Sequence, residues 1–267
     1  MTTQIILCGD ALTCVPLADV ATCDVMITDP EYSEHTHASA VSSSAKRGTR
    51  KRDFGFECMT PLSRGWLAAA AGAVKRWSIL YSDVEESWRL REACEESGAE
   101  YVRTVPWVRW SMPQLSGDRP PQGFEHVLVM HRPGAKRWNG PGNLVALEHT
   151  RLTGEDKHRA EKPLDQALDL VSWFSDPGEC IFDPRAGAGT VGLACRLLGR
   201  DFVGVERQPE WAERARARLG AQLSARDADR LQRWAASVVA RREHLGDSDR
   251  THSHDFEFAR SISVAKV

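Results

Sequence analysis

Residues 181–192 read Ile181-Phe182-Asp183-Pro184-Arg185-Ala186-Gly187-Ala188-Gly189-Thr190-Val191-Gly192, and this stretch decides the fold class. It runs from a short apolar strand, Cys180 to Asp183, through a glycine turn into a helix, Thr190 to Leu198. Gly187 and Gly189 carry no Cβ, so the backbone there can approach a ligand closely. The next apolar run, Phe202 to Val205, ends in Glu206, 17 residues after Gly189. A carboxylate in that place can accept hydrogen bonds from both hydroxyls of a ribose. A strand, turn, helix and strand in this order build one unit of a parallel sheet.

Working outward, the same alternation recurs. Gln4 to Cys8, Asp24 to Thr28 and Trp77 to Tyr81 read as strands. Leu62 to Arg76, Val84 to Ser97, Pro163 to Phe174 and Pro209 to Leu219 read as helices, and Gly98 is a C-terminal stop. Tyr101 to Trp110 and Phe124 to His131 are β-rich runs with no helix between them, so they form an antiparallel pair. Seven strands follow, in a mostly parallel α/β sheet with one antiparallel hairpin and helices on both faces. Residues 221–244 are charged and helical in character. From Gly246 the chain is polar without an apolar period, which predicts a disordered tail over 246–267.

The glycine pattern alone is ambiguous. Gly187 to Gly192 also spells G-x-G-x-x-G, which suits NAD, and a tight turn needs no ligand at all. Asp183-Pro184 directly before the glycines favours a different ligand, because an acid there can meet the ammonium of an amino-acid moiety. S-adenosylmethionine has that ammonium and NAD lacks it.

Asp29-Pro30-Glu31-Tyr32 directly follows another apolar strand. In a parallel sheet the carboxyl ends of the strands face the ligand crevice, so this turn and the glycine turn are expected on one rim. Its chemistry suits an exocyclic base amine, whose lone pair is delocalised into the ring. The Asp29 side chain and the Pro30 carbonyl can accept hydrogen bonds from such an amine and hold its nitrogen toward a methyl sulfonium. They would also stabilise charge growing on that nitrogen. Tyr32 can stack on a base that has left the duplex.

Together these residues resemble the β-class amino-methyltransferases of DNA, of the phage and restriction-modification kind. The resemblance covers most of residues 4–220. It takes in Cys8-Gly9-Asp10-Ala11-Leu12, the Asp29 to Tyr32 turn, His131 to Gly134, Lys136 to Gly140, His158 to Leu164, Asp183 to Thr190 and Val203 to Glu206. The catalytic turn precedes the glycine turn, which is the order of that class. The resemblance implies a Rossmann-like methyltransferase fold, S-adenosylmethionine as cofactor and DNA as partner. It implies that Asp10, Ala11 and Glu206 contact the adenosine end of the cofactor. Lys162, Pro163, Asp183, Arg185, Gly187, Gly189 and Thr190 would surround its methionine and sugar. Asp29, Pro30, Glu31 and Tyr32 would handle the base, with adenine N6 favoured over cytosine N4 by the aspartate. Carbon-5 methylation of cytosine needs a Pro-Cys nucleophile loop, and no Pro-Cys dipeptide occurs.

Two positions depart from the family pattern. Glu31 stands where the family usually has a second proline, and Arg185 where it usually has phenylalanine. Losing the proline frees a φ angle in a turn that must be rigid. Arg185 sets a cation beside a cationic cofactor. Three accounts follow: Glu31 and Arg185 pair across the pocket, they retune the enzyme for another base or donor, or the site is degenerate and only binds. Restoring proline at position 31 is expected to raise transfer if the site is merely weakened. An NAD-linked oxidoreductase rests on the glycine turn alone.

The resemblance divides the chain into a methyltransferase domain over 1–222, a charged C-terminal helix over 223–245 and the tail. Within the domain, 33–58 reads as a mobile basic loop carrying Lys46, Arg47, Arg50, Lys51 and Arg52, suited to phosphates. Residues 132–160 are the candidate target-recognition segment, with Lys136, Arg137, Trp138 and Arg151 as DNA contacts. Trp107 and Trp110 read as core or hairpin-face residues. His35 and His37 have metal-compatible spacing, but no metal is expected there. The net charge of −2 gives no global basic footprint. Seven scattered cysteines without Cys-x-x-Cys spacing argue against a zinc site or disulfide framework and for a reducing cytoplasm, in a prokaryotic or phage-infected cell. No signal peptide or membrane span is expected, and a homodimer stays open.

Overall fold

Val25–Thr28 (β2) and Trp77–Ser82 (β5) are buried at every position, as strands must be when helices cover both faces of a sheet. The structure, a computed structural model, describes residues 2–39, 41–42, 50–51, 57–108, 123–142, 146–148, 161–246 and 250–264. The remaining elements of the sheet are β1 (Gln4–Cys8), β6 (Glu100–Val108), β7 (Phe124–His131), β8 (Leu147–Glu148), β9 (Cys180–Asp183) and β10 (Asp201–Glu206). Their order is β1-β10-β9-β2-β5-β7-β6-β8. From β1 through β5 all pairings are parallel; β7 runs antiparallel to both β5 and β6.

The expected seven strands are therefore all present in a mostly parallel sheet with an antiparallel pair. The eighth, β8, has only two residues, paired with the end of β6. A run that short has no period to read. The segment expected to be a mobile loop begins with α3 (Glu34–Ser39) and includes a two-residue antiparallel pair, β3 (Val41–Ser42) and β4 (Arg50–Lys51).

Helices cover the sheet in two layers. Met26, Leu80, Phe182 and Val205 point into one apolar cluster, with α1 (Ala11–Cys14), α2 (Leu17–Val20) and α4 (Pro61–Ala73) and with α5 (Val84–Glu96). Val25, Ile27, Ile79 and Ile181 point into the other, with α6 (Leu164–Phe174), α7 (Thr190–Leu198), α8 (Pro209–Gly220) and α9 (Ala225–Leu245). Neighbours along a strand alternate between the two layers, as period-2 geometry requires. Side-chain caps begin α4, α5 and α9 at Thr60, Asp83 and Ser224.

The tail corrects the sequence reading. Instead of disorder, Ser253–Val264 forms a further helix, α10, packed on α9. Arg200, fully buried between α7 and β10, donates to both carboxylate oxygens of Asp255 at 2.6 and 2.8 Å. Phe256, Phe258 and Ile262 pack against the larger core. The apolar residues Phe256, Phe258, Ala259, Ile262 and Val264 are interleaved with polar ones without a clear helical period, and the partner that admits Asp255 lies 55 residues away.

Candidate active site

β2 and β9 are adjacent and parallel, with Val25 opposite Ile181 and Met26 opposite Phe182. Their carboxyl ends therefore emerge side by side, which puts Asp29 to Tyr32 and Asp183 to Gly189 on one rim. The turn after β2 is fastened on both sides. Met59 N–H donates to the Tyr32 carbonyl at 2.9 Å. Ser33 N–H donates to Oδ2 of Asp83, the buried N-cap of α5, at 2.9 Å.

Asp29 meets a buried cation. The Lys162 ammonium lies 2.8 Å from Asp29 Oδ2 and 3.1 Å from Glu125 Oε2. It also donates to Tyr32 Oη at 3.3 Å and sits over the rings of Tyr81 and Trp107, 4.7 and 5.1 Å from their centroids. Tyr32 Oη donates to Glu125. Burial pushes the Asp29 carboxyl above its usual range, although Lys162 pulls it back. For Lys162, burial lowers the pKa, but Asp29 and Glu125 together outweigh it and the net direction is up. The ammonium is thus held charged. The other carboxylate oxygen, Asp29 Oδ1, is shut off from solvent and accepts no hydrogen bond from the described residues. A buried acceptor without a donor is costly, and a ligand N–H relieves that cost.

Glu31 and Arg185 do pair. Arg185 Nε donates to Glu31 Oε1 at 2.8 Å, and Ser63 Oγ of α4 donates to Glu31 Oε2 at 3.1 Å. Both carboxylate oxygens of Glu31 are thus engaged by these groups.

In the glycine turn, Gly187 and Gly189 both have positive φ, at 50° and 72°, a region that favours glycine. Gly192 packs on the strand: a Cβ there would lie 2.6 Å from the Phe202 ring. Glu206 Oε2 accepts from Gly187 N–H at 2.9 Å and Oε1 from Gln208 N–H at 2.8 Å. Asp183 accepts from Arg185 N–H at 3.0 Å, and burial lifts its carboxyl to about 7. Asp10 caps α1 beside Glu206, where Gly9 N–H donates to the Glu206 carbonyl; Ala11 is buried next to it. Thr190 Oγ1 accepts from Arg218 at 3.0 Å, so its hydroxyl serves an internal network. Pro163 is the N-cap of α6.

Several expected assignments change. Lys162 was expected around the cofactor; its ammonium instead lies among Asp29, Tyr32 and Glu125, because two carboxylates attract it there. Lys136, Arg137 and Trp138 were expected on DNA. They follow the carboxyl end of β7, which runs antiparallel to β5, so they emerge on the rim opposite Asp29. Lys136 pairs with Glu100 and Arg137 with Asp176. Trp138 packs inward on Trp173 and Phe174. These three leave the set of candidate DNA contacts. Lys46, Arg47, Arg52, Trp110 and Arg151 lie outside the described residues, and of Arg50 and Lys51 only the backbone in β4 is described. Among the described residues no cluster of His, Cys, Asp and Glu can hold a metal, and no helix is long and apolar enough to cross a membrane.

Sequence reasoning missed Glu125, Tyr81, Ser63 and the site-facing role of Trp107. For Glu125 a signal existed. It shares the face of β7 with Val127 and Val129, and an acid on a buried strand face needs a partner.

Comparison with known proteins bears on the fold and family. Residues 143–217 match the N6_N4_Mtase family model, described as DNA methylase. Type II methyltransferase M.HpaI of Haemophilus parainfluenzae is 21% identical over 259 residues, across 86% of this chain and 79% of its own. Type II methyltransferase M.XycI of Xanthomonas campestris pv. cyanopsidis is 28% identical over 151 residues, across 51% of this chain and 50% of its own. Among solved structures, M1.HpyAVI in complex with SAM aligns with a TM-score of 0.61 at 24% identity, over 82% of this chain and 100% of that one. PvuII DNA methyltransferase, cytosine-N4-specific, aligns with a TM-score of 0.62 at 12% identity, over 87% of this chain and 92% of that one. The structural likenesses show the methyltransferase fold. With the sequence matches, they make this chain a relative of the DNA amino-methyltransferases.

Proposed function

We propose that this chain transfers a methyl group from S-adenosylmethionine to an exocyclic amine of a DNA base, adenine N6 in a flipped-out nucleotide. The observation that carries the reading is Asp29 Oδ1, a buried acceptor without a donor among the described residues, on the rim that the glycine turn shares. The rim also suits the donor chemically. Asp10, Asp183 and Glu206 line it with acids, and the donor carries both an ammonium and a sulfonium. Asp183 would hold the ammonium, and Glu206 would exchange its two backbone donors for ribose hydroxyls.

When bound, S-adenosylmethionine supplies an electrophilic methyl on sulfur. This chain's residues do the rest by placement. Asp29 Oδ1 and the Pro30 carbonyl accept the two amine hydrogens, which turns the nitrogen lone pair out of the ring plane and toward the methyl. The carboxylate then stabilises positive charge as it grows on that nitrogen. Tyr32, anchored through its hydroxyl to Glu125, offers a ring face to the base. Lys162 holds Asp29 in place and opposes the upward push of burial on its carboxyl.

The repurposed reading rests on Glu31, whose charge Arg185 offsets. The NAD-linked reading has no use for Asp29. The test is incubation with tritiated donor and unmethylated DNA, followed by digestion to nucleosides. Label should appear in N6-methyladenine, and Asp29→Ala should lower it by roughly 10²-fold or more. Label in N4-methylcytosine would replace adenine as target, and an unlabelled digest across varied DNA would refute the activity.

A further inference from the structure

Glu31, Arg185 and Ser63 close a ring of hydrogen bonds. Arg185 Nε donates to Glu31 Oε1 at 2.8 Å, Ser63 Oγ donates to Glu31 Oε2 at 3.1 Å, and Arg185 Nη2 donates to Ser63 Oγ at 3.1 Å. Arg185 Nη1 completes the set on the Pro184 carbonyl at 3.0 Å. The side chains of Arg185 and Glu31 are only 19% and 20% exposed. Three separate elements meet here: the turn after β2, the turn after β9, and the first turn of α4. Ser63 is itself placed by its N–H on the Thr60 cap.

We propose that this ring is a positioning clamp that does the work of a proline at position 31. The proposal rests on the methyltransferase reading of the rim. A proline stiffens a turn by fixing its own φ. A glutamate cannot, but a side chain tied at both oxygens to two other elements restrains the same backbone from outside. Arg185 alone would set an uncompensated cation beside a sulfonium donor, and Glu31 cancels that charge. Neither residue is tolerable without the other, so the two departures from the family pattern are one compensated change. Glu31, Arg185 and Ser63 touch neither reacting atom; they hold Asp29 and Pro30 at a fixed height over the glycine turn.

The clamp reverses the expectation for restoring proline. Glu31→Pro alone strands Arg185 and should lower transfer, not raise it. We would compare the full chain with Glu31→Pro, Glu31→Gln, Arg185→Phe and the double variant Glu31→Pro with Arg185→Phe. Readouts are kcat and KM for DNA at saturating donor, donor Kd by calorimetry, and amide hydrogen exchange at Tyr32 and Ser33. Each single change should lower kcat by about 10²-fold, the size expected for an ångström-scale misplacement. KM for DNA should move little, Kd for donor should weaken most in Glu31→Pro, and exchange should quicken. The double variant should recover to within about tenfold of wild type, because the losses are coupled and not additive. Losses that multiply in the double variant, or singles within twofold of wild type with unchanged exchange, would overturn the clamp. Should Glu31→Pro fail to fold, the milder Glu31→Gln carries the same comparison against Arg185→Phe. If wild type transfers no methyl to any DNA, the activity is wrong, and hydrogen exchange across the same variants still decides whether the clamp exists.

Discussion

Burial holds the Asp183 carboxyl near 7, far above an ordinary aspartate. The folded chain then binds more protons than the unfolded chain between about pH 4 and pH 7. Stability contributed by this group therefore falls as pH rises through that window and is flat above it. Donor binding runs the other way, because an ammonium wants the carboxylate. Affinity for S-adenosylmethionine should tighten from pH 6 to pH 8, with proton release seen as a buffer-dependent heat in calorimetry. Asp183→Asn should flatten the profile; a wild-type affinity that does not change over this range would remove Asp183 from the ammonium site. Lys162 makes a second case. Lys162→Met leaves Asp29 and Glu125 facing each other without their shared cation. The expected loss is about 3–5 kcal/mol at pH 7, of the order seen when one member of a buried pair is removed. It should shrink at pH 5 as Asp29, whose carboxyl burial already raises, takes up a proton, and urea melts at both pH values measure it. A loss below about 1 kcal/mol at pH 7 would mean that the two acids already share a proton.

Elements were legible where a single element carries its own signal. The strand-turn-helix at 181–198 has glycines, a period and a cap, and the structure places it within a residue of the reading. The Asp29 turn followed from the rule that carboxyl ends of parallel strands share a rim, which is a property of topology and not of any one residue. What escaped was set by contacts remote in sequence. Glu125 meets Lys162 across 37 residues, and Ser63 meets Arg185 across 122. Lys136 and Arg137 misled because cationic character says nothing about which end of an antiparallel strand they follow. The α10 helix is the clearest instance, since Asp255 is held in the interior by the fully buried Arg200. Asp255→Ala should therefore cost about 3–5 kcal/mol, by leaving a fully buried guanidinium without its partner. Hydrogen exchange should show α10 released together with the adjoining end of α9. If urea unfolding changes by less than about 1 kcal/mol, α10 is an appendage and not part of the fold.

At the scale of the whole molecule, the net charge of −2 offers DNA no long-range attraction. The rim itself is acidic, with Asp10, Asp29, Asp183 and Glu206 close to where a phosphate backbone must pass if a base is to reach Asp29. On the proposed function a nucleotide entering the rim brings its own negative charge, so cations are expected beside it. Lys136 and Arg137 cannot supply them, being on the opposite rim and paired to acids. The remaining candidates are Arg151 and, denser in charge, the run Lys46, Arg47, Arg50, Lys51 and Arg52, which begins 14 residues after Tyr32. If these cations neutralise phosphates, affinity for duplex DNA should fall steeply with salt, by roughly 0.9 in log-log slope for each phosphate contact. Replacing all five by Ser should reduce that slope by about 3 to 5 and weaken binding alike on every sequence, while donor affinity stays the same. Lys136→Ser with Arg137→Ser should leave the slope within about 0.5. Fluorescence anisotropy over a salt series reads both. An unchanged slope after the five-residue replacement would move the phosphate contacts elsewhere on the molecule and leave the catalytic rim without a way to hold DNA against its own charge.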